Sequence, residues 1–195
     1  MEYFKNIIAY QKLLKRFNSV YRDLDSIHSS KVRDNDAEHS YRVAMLCWMI
    51  IEKYKLGLDI HKVVKYSLIH DFVEVYAGDV SIYSNKKIDK HKRELKSLEK
   101  LKSKYPDLIN IWKEIDNYEK KQDEEAKFVY LIEKVEPILT VLLSEDDHWL
   151  KRKVSFEDFN NRKRSKTSKY SSFAQYFVED IMKYLDKNKK KWFVS

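Results

Sequence analysis

The chain has 195 residues and a net charge of +8, with 36% charged residues but only two glycines, two prolines and one cysteine. So little Gly and Pro excludes a turn-rich β-sandwich, and a single thiol excludes an internal disulfide. No stretch approaches the ~20 apolar residues that a membrane-spanning helix needs, so no membrane partner is expected. The length suits one domain, 1–195, with a core burying roughly two thirds of the unfolded surface. Abundant Leu, Ile, Lys and Glu point to an all-α fold. The N-terminus lacks the charged-then-apolar pattern of a secretory signal, and Cys47 lies among Leu46, Trp48 and Met49 like a buried thiol, so cytoplasmic residence is expected.

Residues 3–17 place Phe4, Ile7, Ile8, Leu14 and Phe17 at mostly helical spacing, and 18–35 read as a polar connecting loop. Asp36 is the expected N-cap of a helix reaching about Lys55, closed by Gly57. A helix over about 59–72 carries His70-Asp71 near its C-terminal end, and 76–87 suits a loop. Helices follow at about 88–104 and 107–121, separated by Tyr105-Pro106-Asp107, and another spans about 123–145. Residues 151–170 read as a long basic loop ahead of a last helix at about 171–186. The expected architecture is a bundle of six or seven helices.

The positive charge is uneven. Residues 1–150 hold 26 basic and 26 acidic side chains, whereas 151–195 hold 13 and 5. Basic runs of this kind are usually solvated tails or loops. Nucleic acid is therefore not the expected partner, although attraction to an anionic substrate or nucleic acid stays open.

Two short words carry the chemistry. Neutral imidazoles are good ligands for divalent metals, and an adjacent carboxylate adds the negative charge that holds the ion. His39 sits in Asp36-Ala37-Glu38-His39-Ser40-Tyr41-Arg42-Val43, and His70-Asp71 opens a segment continuing through Glu74 to Asp79. Two histidines and one aspartate leave coordination positions for water and substrate. The remaining histidines, His28, His61, His91 and His148, read as structural or surface residues.

These words resemble the HD-domain phosphohydrolases and look closest to their 5′-deoxynucleotidase-like branch. The resemblance covers about residues 30–145 and implies a metal-dependent phosphomonoesterase acting on a nucleoside 5′-monophosphate. It implies one divalent cation, Mn, Co, Mg or similar, held by His39, His70, Asp71 and a fourth ligand from a later helix. That position, normally Asp, is Glu133 in this sequence. The extra methylene either is accommodated, helped by Pro137 four residues on, or weakens the site. Such an ion polarises a phosphate ester and acidifies water. Glu74 and Asp79 match acidic positions near the reaction centre, and which handles the attacking water and which the leaving oxygen stays open. For phosphate recognition Arg33 is the first candidate, with Arg22 and Lys86 behind it. The branch commonly forms homodimers, so a homodimer is expected. An inactive regulatory or binding module, or a hydrolase for another nucleotide class, is the alternative.

Overall fold

In the computed structural model, which describes residues 1–26, 29–80, 89–144, 147–167 and 172–194, helices dominate and the one sheet is a two-stranded hairpin. The order is α1 (Glu2–Phe17), β1 (Tyr21–Ser26), β2 (Ser29–Asn35), α2 (Asp36–Tyr54), α3 (Ile60–Ile69) and α4 (Glu74–Ala77). Then come α5 (Lys90–Lys104), α6 (Ile109–Lys120), α7 (Glu124–Ser144), α8 (His148–Lys151), α9 (Phe156–Thr167), α10 (Ser172–Lys187) and α11 (Lys189–Trp192). The all-α class is borne out, with more helices than expected because α4, α8 and α11 are four-residue turns of helix and α9 is additional.

Three elements correct the sequence reading. Residues 18–35 hold the antiparallel pair β1–β2, with Tyr21 opposite Asn35 and Asp25 opposite Arg33. Neither strand alternates apolar and polar residues, so periodicity had nothing to report. Charged side chains hold the hairpin instead: the Arg33 guanidinium donates across it to the Arg22 carbonyl, with Nε at 2.9 Å. The second correction is α9. Ser155 accepts the Asp158 N–H on its hydroxyl at 3.1 Å, and that hydroxyl donates to the Asp158 carboxylate at 3.0 Å. This reciprocal cap starts a helix where charge density suggested a loop. Third, α2 is capped by Asn35, whose side chain accepts from Ala37 and Glu38, and it ends at a left-handed Lys55 with φ of 52°. Gly57 lies beyond that end.

The helices enclose three apolar clusters. Val43, Cys47, Ile51, Val63, Tyr66 and Ile132 pack α2 and α3 against the first half of α7. Leu13, Phe17, Phe72, Leu101, Trp112 and Ile115 join α1 to the 70s turn, α5 and α6. Ile138, Val141, Trp149, Phe159, Leu185 and Phe193 bring α8–α11 against the second half of α7. At 21 residues, α7 is about 31 Å long and crosses from the first cluster to the third. Glu133 and Glu136 lie buried at that crossing, where unpartnered carboxylates would be costly. No helix among the described residues is long and apolar enough to cross a membrane.

Candidate metal centre and substrate cleft

The site forms where α2, the turn after α3, and the middle of α7 meet beneath β1. His39 projects from the first turns of α2. Its Nδ1 lies 2.6 Å from Glu136 Oε2, and Glu136 Oε1 accepts from Arg42 Nε at 2.6 Å and from the Thr140 hydroxyl at 2.7 Å. Glu136 therefore takes the Nδ1 proton and turns Nε2 toward the cleft. Arg42 reaches on to Asp34 of β2 at 2.6 Å, tying hairpin, α2 and α7 together.

His70 follows α3 directly. Its Nδ1 donates to the Ser67 carbonyl at 2.7 Å, which leaves Nε2 facing Asp71 and Glu133. The buried Nε2 lies 3.1 Å from Asp71 Oδ2 and 3.5 Å from Glu133 Oε2 without the alignment of a hydrogen bond. His39 Nε2 is 3.8 Å from the same Asp71 oxygen, and the two imidazole centres are 5.1 Å apart. Donor atoms sharing one ion at about 2.1 Å lie roughly 3–4 Å from one another, so the set fits a divalent cation. His39, His70 and Asp71 form the one such group among the described residues.

Electrostatics agree with the geometry. Burial pushes the His39 imidazole down to about 4, which keeps it neutral as a ligand must be. Burial opposes protonation of His70 as well, but Asp71 and Glu133 outweigh it and hold it up to about 9. A proton on His70 and a cation beside it answer the same surplus of negative charge. Glu136 is held down at about 2 against its burial, chiefly by the bond from His39 and by Arg42.

Glu133 stands beside this trio. Its Oε2 accepts from the buried Tyr118 hydroxyl at 2.7 Å, and Lys134 Nζ lies 2.7 Å from Oε1. The longer side chain thus reaches the His70 imidazole while two donors hold its oxygens. Glu74, first residue of α4, is buried with Lys90 Nζ 2.8 Å from Oε1 and no hydrogen-bond partner on Oε2. Burial, with Asp71 adding to it, raises the Glu74 carboxyl well above its ordinary value. Gly78 closes α4 with φ of 72° and ψ of 149°, a positive-φ conformation that glycine adopts without strain, and Asp79 follows at the cleft wall.

The arginines exchange rank. Arg33 is exposed and its guanidinium serves the hairpin, whereas Arg22 is half-buried above the cluster. Arg22 Nη1 lies 3.0 Å from Asp71 Oδ2 and 3.2 Å from Asp36 Oδ1, and its buried Nε has no hydrogen-bond partner. Lys86 and His28 lie outside the described residues. Sequence reasoning passed over Glu136, Lys90 and Lys134 altogether. For Glu136 a signal existed: a second carboxylate three residues after Glu133 in an otherwise apolar helix segment.

Eight of the site residues line one cleft, and His70, Glu136 and Arg33 do not. Its floor is His39, Asp71 and Glu133, with Arg22, Glu74, Asp79, Lys90 and Lys134 around them. Toward α8 and α9 the walls turn apolar.

Comparison with known proteins agrees with this arrangement. The chain is 30% identical to the 5′-deoxynucleotidase HDDC2 of Xenopus laevis over 164 residues, covering 81% of this chain and 75% of that protein. It is 30% identical to the human protein of the same name over 149 residues, covering 73% and 67% of the two. Against the yeast 5′-deoxynucleotidase YGK1 the identity is 24% over 197 residues, with coverage of 96% and 86%. The crystal structure of a predicted metal-dependent phosphohydrolase from Magnetospirillum magnetotacticum MS-1 superposes with a TM-score of 0.73 at 22% identity, covering 96% of this chain and 98% of the other, a likeness of fold. The HD-domain model matches residues 14–174, most of the sequence, and the chain belongs to the HD-domain family.

Proposed function

We propose that this chain is a metal-dependent phosphohydrolase that releases phosphate from deoxynucleoside 5′-monophosphates. The observation that carries the reading is the convergence of two imidazole Nε2 atoms and the Asp71 carboxylate beside a cleft that also holds the Arg22 guanidinium. His39, His70 and Asp71 would hold one divalent ion, with Glu133 as a neighbouring fourth donor. When bound, the ion supplies positive charge to the phosphoryl oxygens and makes water acidic enough to lose a proton near neutral pH.

The chain's own groups do the rest. Arg22 presents a guanidinium to the cleft, a group suited to phosphate oxygens. Lys90 and Lys134 add positive charge along the path of a dianionic ester. In the reaction, a water oxygen bonds to phosphorus, the phosphorus–O5′ bond breaks, and a proton must leave the water while another reaches O5′. Glu74 and Asp79 carry the two proton transfers. Glu74 is the better placed for one of them, because Lys90 fixes one oxygen and the other has no hydrogen-bond partner.

The test is phosphate release by the purified protein with Mn²⁺ or Co²⁺ from a panel of nucleoside and deoxynucleoside 5′-monophosphates, alongside di- and triphosphates and simple esters. Turnover of the deoxynucleoside monophosphates is expected, falling to background in Asp71→Ala. A correctly folded, metal-loaded protein that turns over no phosphate ester would overturn the reading and leave a binding module.

A further inference from the structure

The first helix is apolar on two sides. Leu13 and Phe17 are its buried side chains and join the cluster shared with α5 and α6. Tyr3, Phe4, Ile7, Ile8 and Leu14 are exposed, Phe4 to 67% and Ile7 to 62%. Helical geometry sets Phe4, Ile7 and Ile8 roughly opposite Leu13 and Phe17, so one set faces the core and the other faces solvent. Every residue from Met1 to Ile8 is exposed, and the first two turns of α1 stand clear of the body. One apolar stripe is enough to dock a helix on a core. The second stripe has no use inside the chain.

Positive charge borders that stripe. α1 holds Lys5, Lys12, Lys15 and Arg16 against Glu2 alone, and Lys5, Lys12 and Arg16 recur along one edge, seven and four residues apart. Lys12, Lys15 and Arg16 then line a polar groove between α1 and α4. Its far wall carries Asp79 and Glu74, the latter already bonded to Lys90. At the groove the Tyr76 ring gathers three cations, with Arg16 Cζ at 4.6 Å from its centre, Lys100 Nζ at 4.3 Å and Lys104 Nζ at 5.3 Å. These three charges lie within about 10 Å of one another, a distance at which moderate salt still leaves like charges in each other's field. None of the three, nor Lys12 or Lys15, pairs with a carboxylate among the described residues. Residues 1–150 balance in total charge, yet folding collects an uncompensated excess on this side of the molecule.

A helix with an apolar stripe edged by lysines suits a bilayer interface, where the stripe enters the acyl boundary and the cations meet phosphate headgroups. A second copy fits this face poorly, because a two-fold contact would set the same cations against themselves. We infer that α1 docks this protein on an anionic lipid surface, with Phe4, Ile7 and Ile8 inserted and Lys12, Lys15 and Arg16 among the headgroups. The helix lies on the bilayer and does not cross it, since crossing takes ~20 apolar residues.

The experiment sediments the full chain with vesicles of phosphatidylcholine, and with vesicles of equal parts phosphatidylcholine and phosphatidylserine. Light scattering follows the mass of the lipid-free protein, and circular dichroism checks the folding of each variant. The wild type is expected to sediment with the mixed vesicles and not with phosphatidylcholine alone. Phe4→Glu with Ile7→Glu, and separately Lys12→Glu with Lys15→Glu, should each weaken the vesicle affinity at least tenfold. All four positions are exposed, so the fold is spared. Lys187→Glu with Lys190→Glu removes as much positive charge elsewhere and should bind as the wild type does. A wild type that ignores the mixed vesicles overturns the proposal. So does binding that survives Phe4→Glu with Ile7→Glu, or binding that goes with Lys187 and Lys190 instead, since either is adsorption by charge alone. A dimer dissolved by Phe4→Glu with Ile7→Glu, in a protein that does not sediment with lipid, gives the face to a second copy and overturns it too. No readout depends on turnover, so the phosphohydrolase reading stands or falls separately.

Discussion

The two ends of the cleft are held in shape by opposite means. At the floor, nearly every side chain is an ionisable group pinned by another: Glu136 under His39, the Ser67 carbonyl under His70, Arg22 on Asp71, Tyr118 and Lys134 on Glu133. At the far end, orientation comes from ring packing around Trp149, with one charged staple at the rim. Hydrogen bonds have direction and fix single atoms, which reactions require. Ring packing fixes a shape rather than single atoms. Damage at the floor should thus appear in chemistry and metal affinity, and damage to the rings at the far end in stability.

The sharpest way to break that division is Glu74→Gln. It keeps the shape and removes a proton carrier, so kcat should fall by about 10²–10⁴ with metal content unchanged. A kcat within a few-fold of wild type would remove Glu74 from the proton transfers. Next in size is Glu136→Gln, a positioning change two shells from substrate. Metal affinity measured by competition with a fluorescent chelator should weaken roughly 10–100-fold. Arg152→Ala attacks the rim instead. Its partly exposed pair with Asp23 contributes no more than about 1 kcal/mol to stability, so thermal unfolding should shift little and metal affinity should hold. An equal effect of Arg152→Ala on metal affinity would show that the two ends are not separable. The smallest effect is expected at Cys47, fully buried with its thiol pushed up to about 12, chiefly by burial. An aromatic disulfide reagent at pH 8 should label it only as fast as the protein unfolds.

The legible part of this molecule was the part written in contiguous words or regular periods. His39 and His70-Asp71 stood in recognisable words, and α2, α3 and α7 showed as apolar stripes near their observed limits. The hairpin escaped because its pairing is enforced by Arg33, Arg42 and Arg152 reaching across space, which no period records. The choice between Arg22 and Arg33 failed for a related reason. Both flank the same turn, and which guanidinium points inward depends on an irregular register between Tyr21 and Ser26. The helix α9 was available in principle, since Ser155 and Asp158 are spaced as a reciprocal cap. The cleft's far wall was beyond reach, because Leu24, Val141 and Phe159 are distant in sequence and look like ordinary core residues.

One helix takes part at both ends. α7 presents Glu133 and Glu136 to the histidines and, within the next two turns, Ile138 and Val141 to the aromatic wall. A single residue inserted ahead of position 133 would rotate everything after it by about 100°. Evolution can therefore lengthen the loops around this helix freely, yet it cannot retune the metal end or the apolar end alone by sliding α7, because the same screw turns both.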